Sequence, residues 1–121
     1  MSLDHYRRVQ TLSASPRATE HRLMSEITSE MIAARDMGMS GAGLMPALHR
    51  NREVWSAFSS LCATEGNQLP PDLRASIISL ALWVDRFTTE VVTGRDHIDE
   101  LIDVNRAIIA GLAGAPQAHA A

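Results

Sequence analysis

The sequence predicts an all-α, single-domain protein, a bundle of about five helices whose fourth helix, about residues 71–93, is largely buried. Three observations predict it. Apolar residues recur at helical spacing wherever a pattern is readable. No alternating run bounded by turn residues marks a strand. The stretch from Pro70-Pro71-Asp72 to Val84 reads as a proline-started helix, apolar nearly all the way round. Such a helix needs cover on every side and belongs in the middle of a bundle.

Taken in order, the first helix spans about Ser2 to Leu12, with Leu3, Tyr6 and Val9 as its inward face. It is short and weakly amphipathic, and marginal without a partner. Ser15-Pro16 supplies an N-cap and a first-turn proline for a long second helix, about Pro16 to Asp36, striped by Leu23, Ile27, Met31 and Ala34. Arg22 and Glu26 fit an exposed i,i+4 pair there. In Met37-Gly38-Met39-Ser40-Gly41-Ala42-Gly43, three glycines in six residues disfavour continued helix, which makes this the expected hinge. The third helix, about Leu44 to Ala63, sets Leu44, Leu48, Asn51, Trp55, Phe58 and Cys62 on one seam, with Asn51 its one polar residue. The fourth opens at Pro70-Pro71-Asp72, an acid at the positive end of the dipole, and closes at Gly94. Asp96 is placed to cap the fifth, whose seam Ile98, Leu101, Ile102, Asn105, Ile108, Ile109 and Leu112 is again interrupted by an asparagine. The domain therefore covers 1–113, and 114–121 lacks pattern and bulk, which predicts a disordered tail.

At 121 residues the chain has room for one modest core. Eleven arginines against 14 acids, with no lysine, give a net charge of −3, and the arginines are scattered. Nothing advertises a phosphate-binding surface, and the fourth helix is too apolar to lie in a DNA groove, so direct DNA binding is not expected and RNA binding is disfavoured. A lone cysteine, Cys62, excludes an internal disulfide and points to a buried thiol in a reducing cytosol. The start, Met1-Ser2-Leu3-Asp4-His5, lacks the apolar core of a secretory signal, and Ile77 to Val84 is far short of the ~20 residues of a membrane span. The expectation is a cytoplasmic protein that touches no membrane.

Catalytic and metal chemistry find little support. His5, His21, His49, His97 and His119 include no pair three or four apart, and the Glu-x-x-His pairs of di-iron bundles are absent. There is no Gly-x-Ser-x-Gly elbow, and the glycines of Met37 to Gly43 lack a phosphate-loop lysine. The expectation is no enzyme activity, no cofactor and no metal.

What remains are binding candidates. Asn51 and Asn105 either hydrogen-bond in the core and fix helix register, or line a groove that a partner helix fills. Trp55 and Trp83 are core aromatics, or one of them anchors a partner. Met24, Met31, Met37, Met39 and Met45 read mostly as core or linker, with an adaptable apolar surface as the other reading. Arg52, Arg74 and Arg106 complete the set of partner-binding candidates.

Those same words carry a resemblance. Asn67-Gln68-Leu69-Pro70-Pro71-Asp72-Leu73-Arg74 through Val84 is preceded by Asn51-Arg52-Glu53-Val54-Trp55 and followed by Ile102-Asp103-Val104-Asn105-Arg106-Ala107-Ile108. Together they resemble FlaF, the flagellin-synthesis regulator of alphaproteobacterial flagellar systems. The likeness runs from Tyr6 through Ser15-Pro16-Arg17 to Asn105-Arg106, is weak over Met37 to Gly43, and stops near Gly114. It implies a non-enzymatic, cytoplasmic regulator that promotes flagellin production and export, working with or against the companion regulator FlbT and acting as a flagellin chaperone. A bundle groove suits that role, since flagellin termini form amphipathic helices that need cover, and the 37–43 hinge would let the first two helices shift to expose it. Two other readings stay open: an adaptor that binds FlbT or another regulator without holding flagellin, and an RNA-contacting translational regulator. Self-association is open as well.

Overall fold

A computed structural model describes residues 16–64, 66 and 69–114. Among them are four α-helices, Pro16–Asp36 (α1), Met45–Cys62 (α2), Pro71–Val92 (α3) and Asp99–Gly114 (α4), with a 3-10 turn at Gly41–Leu44 leading into α2. The all-α, single-domain expectation holds. The helix expected over about Ser2 to Leu12 and the tail beyond Gly114 lie outside the described residues.

The helix limits follow local chemistry. Pro16 opens α1, Pro46 stands in the first turn of α2, and Pro71 follows Pro70 at the start of α3. Each proline sits where an orphan N–H would otherwise face solvent. Two helices end on left-handed glycines. Gly38 (φ +74°) closes α1 with Gly38 N–H donating to Arg35 C=O at 2.9 Å and Met39 N–H to Ala34 C=O at 3.1 Å. Gly94 (φ +79°) closes α3 in the same way, with Gly94 N–H to Val91 C=O and Arg95 N–H to Glu90 C=O. Both are Schellman ends, which leave the last carbonyls satisfied and turn the chain back. The segment expected as a hinge is thus a glycine cap followed by a 3-10 turn whose Leu44 is buried. α4 begins at Asp99, so Asp96 lies outside it and does not cap it as expected. Asp99 and Glu100 occupy its first turn and face the positive end of the dipole.

The helices pack as a ring, α1 on α2, α2 on α3, α3 on α4 and α4 on α1, with no close approach of α1 to α3 or α2 to α4. The core is Met24, Met31, Leu48, Trp55, Ile77, Val84, Leu101, Ile102 and their neighbours. The seam expected on α2 is buried at every position. On α1 the inward stripe runs through Met24, Ile27, Met31 and Ala34, and Leu23 is 39% exposed, so one member of the expected stripe is displaced by a residue. Met24 and Met31 are core as expected, whereas Met37, Met39 and Met45 are exposed.

α3 is less covered than its composition predicts. Ile77, Val84, Phe87, Thr88 and Val91 make one buried face, while Leu82 is 66% exposed and Trp83 only half-buried. Among the described residues α3 has two helical neighbours, α2 and α4, and the 3-10 turn against it, and Leu82 stays exposed.

Candidate functional site

Two features could carry function: a buried polar network where three helices meet, and an open apolar groove beside it. The network is built on four residues that expose 4% of their surface or less, Thr28, Asn51, Trp55 and Asn105. The indole Nε1–H of Trp55 donates to Asn105 Oδ1 at 2.8 Å. Because an indole can only donate, the Asn105 oxygen must face it. The Asn105 amide nitrogen then donates to Asn51 Oδ1 at 2.9 Å and to Thr28 Oγ1 at 3.0 Å. Thr28 passes its own proton to the Met24 carbonyl at 2.6 Å. The chain of donors ties α1, α2 and α4 across the ring's diagonal. Asn51 Nδ2 is the one amide end left without a partner.

The groove lies between the first half of α1 and the second half of α2, with a volume of about 340 Å³. From α1 it is lined by Thr19, Glu20, Leu23 and Met24, and from α2 by Glu53, Val54, Ala57, Phe58 and Leu61. Met24 and Phe58 form its floor, while Leu23 and Leu61, 39% and 47% exposed, stand at its rims. Its charged lining residues are both carboxylates, Glu20 and Glu53, the latter 3.6 Å from His49 one turn away. An apolar trough with an acidic edge suits the apolar face of a helix whose flank is basic. The groove was not singled out in the sequence, although one signal pointed to it. Leu23 and Leu61 are large apolar residues that add to the core seams without being needed by them.

Comparison with known protein families finds a match. The model of a family described as "Flagellar protein FlaF" matches residues 2–112. The chain belongs to the FlaF family. No curated protein and no solved structure matches it.

Seen in a FlaF fold, the sequence-predicted partner residues separate into groups. Asn51, Trp55 and Asn105 are buried and bonded to one another, so a partner cannot reach them while the helices stay together. The two asparagines hydrogen-bond to one another in the core and do not line the open groove. Arg74, half-buried, folds back from α3 and donates Nε and Nη2 to the Cys62 carbonyl at 2.9 and 2.7 Å, finishing the end of α2. Trp83 stacks on Phe87 with ring centres 4.6 Å apart. It is therefore only partly the core aromatic expected. Arg52 is exposed and fork-bonds Asp85 Oδ1 at 3.1 and 2.7 Å, joining α2 to α3. Arg106 is exposed on α4. None of these seven lines the apolar groove; Arg52 and Trp55 both line the cleft between α2 and α3, and the other five do not.

Cys62 closes the seam of α2, fully buried. Burial, with the nearby Glu20 charge adding to it and Arg74 opposing, pushes its thiol up to about 11. A neutral buried thiol is a poor nucleophile. Among the described residues no three His, Cys, Asp or Glu side chains are placed to hold a metal ion, and no helix is long and apolar enough to cross a membrane.

Proposed function

We propose that this FlaF protein is a non-enzymatic regulator that promotes flagellin production and export. In this reading it holds a terminal amphipathic helix of flagellin, as a cytoplasmic chaperone, in the groove between α1 and α2. Family membership places the chain among flagellar proteins. The observation that supports the finer reading is the groove itself, apolar on floor and walls and open with the helices as they stand. Helix-in-groove recognition needs such a trough, with apolar anchors spaced along the incoming helix. No shift of 37–43 is required for access, so the hinge drops out of the mechanism.

The test is calorimetric titration of the chain with monomeric flagellin, repeated with flagellin lacking each terminal segment. Saturable one-to-one binding that disappears with one truncation supports the chaperone reading and locates the client helix. Absence of binding in the micromolar range, with binding to FlbT in its place, supports the adaptor reading. Transcript binding that falls steeply with salt would move the role to RNA.

A further inference from the structure

We propose that Glu53 is the specificity residue of the groove between α1 and α2. Given the helix-binding role proposed above for that groove, on which this rests, the helix it admits carries a cation about two turns from an apolar anchor on the same face. Of the two carboxylates in the lining, Glu20 is buried and Glu53 exposed, so Glu53 is the one that an incoming helix meets. Along α2 the exposed lining residues Glu53, Ala57 and Leu61 follow one another at intervals of four. They form a row about 12 Å long that begins with a charge and ends with a large apolar side chain.

The arginines of the surrounding surface are committed elsewhere. Arg50 pairs with Glu30, Arg22 with Glu26, and Arg52 with Asp85. Among the described residues Glu53 is left with His49, one turn back, whose Nε2 stands 3.6 Å away. That is longer than a hydrogen bond, and both side chains face water. A helix lying along the row sets apolar side chains on Ala57 and Leu61 and takes Glu53 partly out of water. A carboxylate desolvated without a partner costs free energy, and an acid opposite it adds repulsion. A lysine or arginine at the same level turns that cost into attraction. Between helices of equal apolarity the groove therefore selects by the sign of one charge, and it fixes which end of the client lies where. The cationic end sits at Glu53 and the apolar end at Leu61, about eight residues apart on a client that follows α2.

Two helix-forming peptides test it, each with Leu at positions i and i+4 of one face, and identical but for Lys or Glu at i+8. They are titrated by calorimetry into the full chain and its Glu53→Lys and Ala57→Glu variants, both at exposed positions and so at little risk to the fold. The wild type should bind the Lys peptide about fivefold or more tightly than the Glu peptide, and Glu53→Lys should reverse that order. Both preferences should narrow at about 0.5 M salt. Ala57→Glu, which puts a charge among the apolar contacts, should weaken both peptides and so place them in the groove. Equal affinity of the two peptides for the wild type, or a Lys preference that survives Glu53→Lys, overturns the assignment of Glu53 and leaves the groove's role standing. Binding unchanged by Ala57→Glu, or no binding of either peptide at about 1 mM, also overturns it, and the flagellin titration then judges the chaperone reading separately.

Discussion

Asn105 uses both ends of its amide, and the consequences of removing it can be ranked against those of removing Asn51. Asn105→Leu leaves the Trp55 indole N–H and the Asn51 Oδ1 buried without partners. At about 1–3 kcal/mol for each orphaned group, the loss should be about 3 kcal/mol or more. Asn51→Leu orphans only one of the two Asn105 N–H bonds, since the other still reaches Thr28, and it removes a donor that already lacks a partner. Its cost should be clearly smaller, about 1 kcal/mol. Urea unfolding of the two variants checks the order. Cys62 gives a pH-dependent prediction. Its folded pKa, about 11, lies above the ordinary 9.0, so the neutral thiol's advantage is complete below about pH 9 and is lost as pH rises toward 11. The stability difference between wild type and Cys62→Ala should therefore shrink between about pH 9 and about pH 11, and alkylation of the folded protein should be slow throughout the neutral range.

At the scale of the elements, helix ends are where single substitutions should tell most. Arg74→Met strips two charge-assisted bonds from the Cys62 carbonyl and should destabilise by about 2 kcal/mol, with Arg74→Lys restoring only part because one ammonium cannot reproduce the fork. Gly94→Ala meets no neighbouring atom, so its expected cost of about 1 kcal/mol is backbone strain at φ +79° alone, read as a fall in thermal midpoint. Much of this level was legible in the sequence. Prolines and glycines, whose backbone preferences act locally, marked the ends of α1 and α3, and the α2 seam was right at every position. Features set by neighbours were not. On α1 both Leu23 and Met24 fit a helical stripe, and only the direction of α2 and α4 decides which turns inward. The apolar girth of α3 reads as central burial, yet a ring leaves its Leu82 side open. Thr28 was not singled out because its role needs Asn105, 77 residues away.

For the whole molecule, the ring of four helices joins sequence neighbours and closes α4 on α1, and the polar network spans its diagonal, from Trp55 and Asn51 on α2 to Asn105 on α4. Within the stretches that carry the FlaF resemblance, Asn51, Trp55, Ile77, Val84, Ile102, Asn105 and Ile108 are buried, while most of the other described positions are exposed or half-buried. On the proposed reading function rests on what the ring leaves uncovered, and two candidates differ in chemistry. The α1–α2 groove is apolar with an acidic edge. The cleft between α2 and α3, about 240 Å³, mixes polar and charged residues, Arg52, Ser56, Ser59, Ser60 and Asp85, with Trp55, Ala81, Leu82 and Val84. A client helix that needs its apolar face hidden is matched by the first and not by the second. The most direct measurement is the flagellin affinity of Ala57→Glu beside that of Leu82→Glu, each first shown to unfold as cooperatively as the wild type. The account predicts at least a tenfold loss for Ala57→Glu, about 1.4 kcal/mol, and wild-type affinity for Leu82→Glu. The reverse pattern, or equal affinity in both variants, would contradict it.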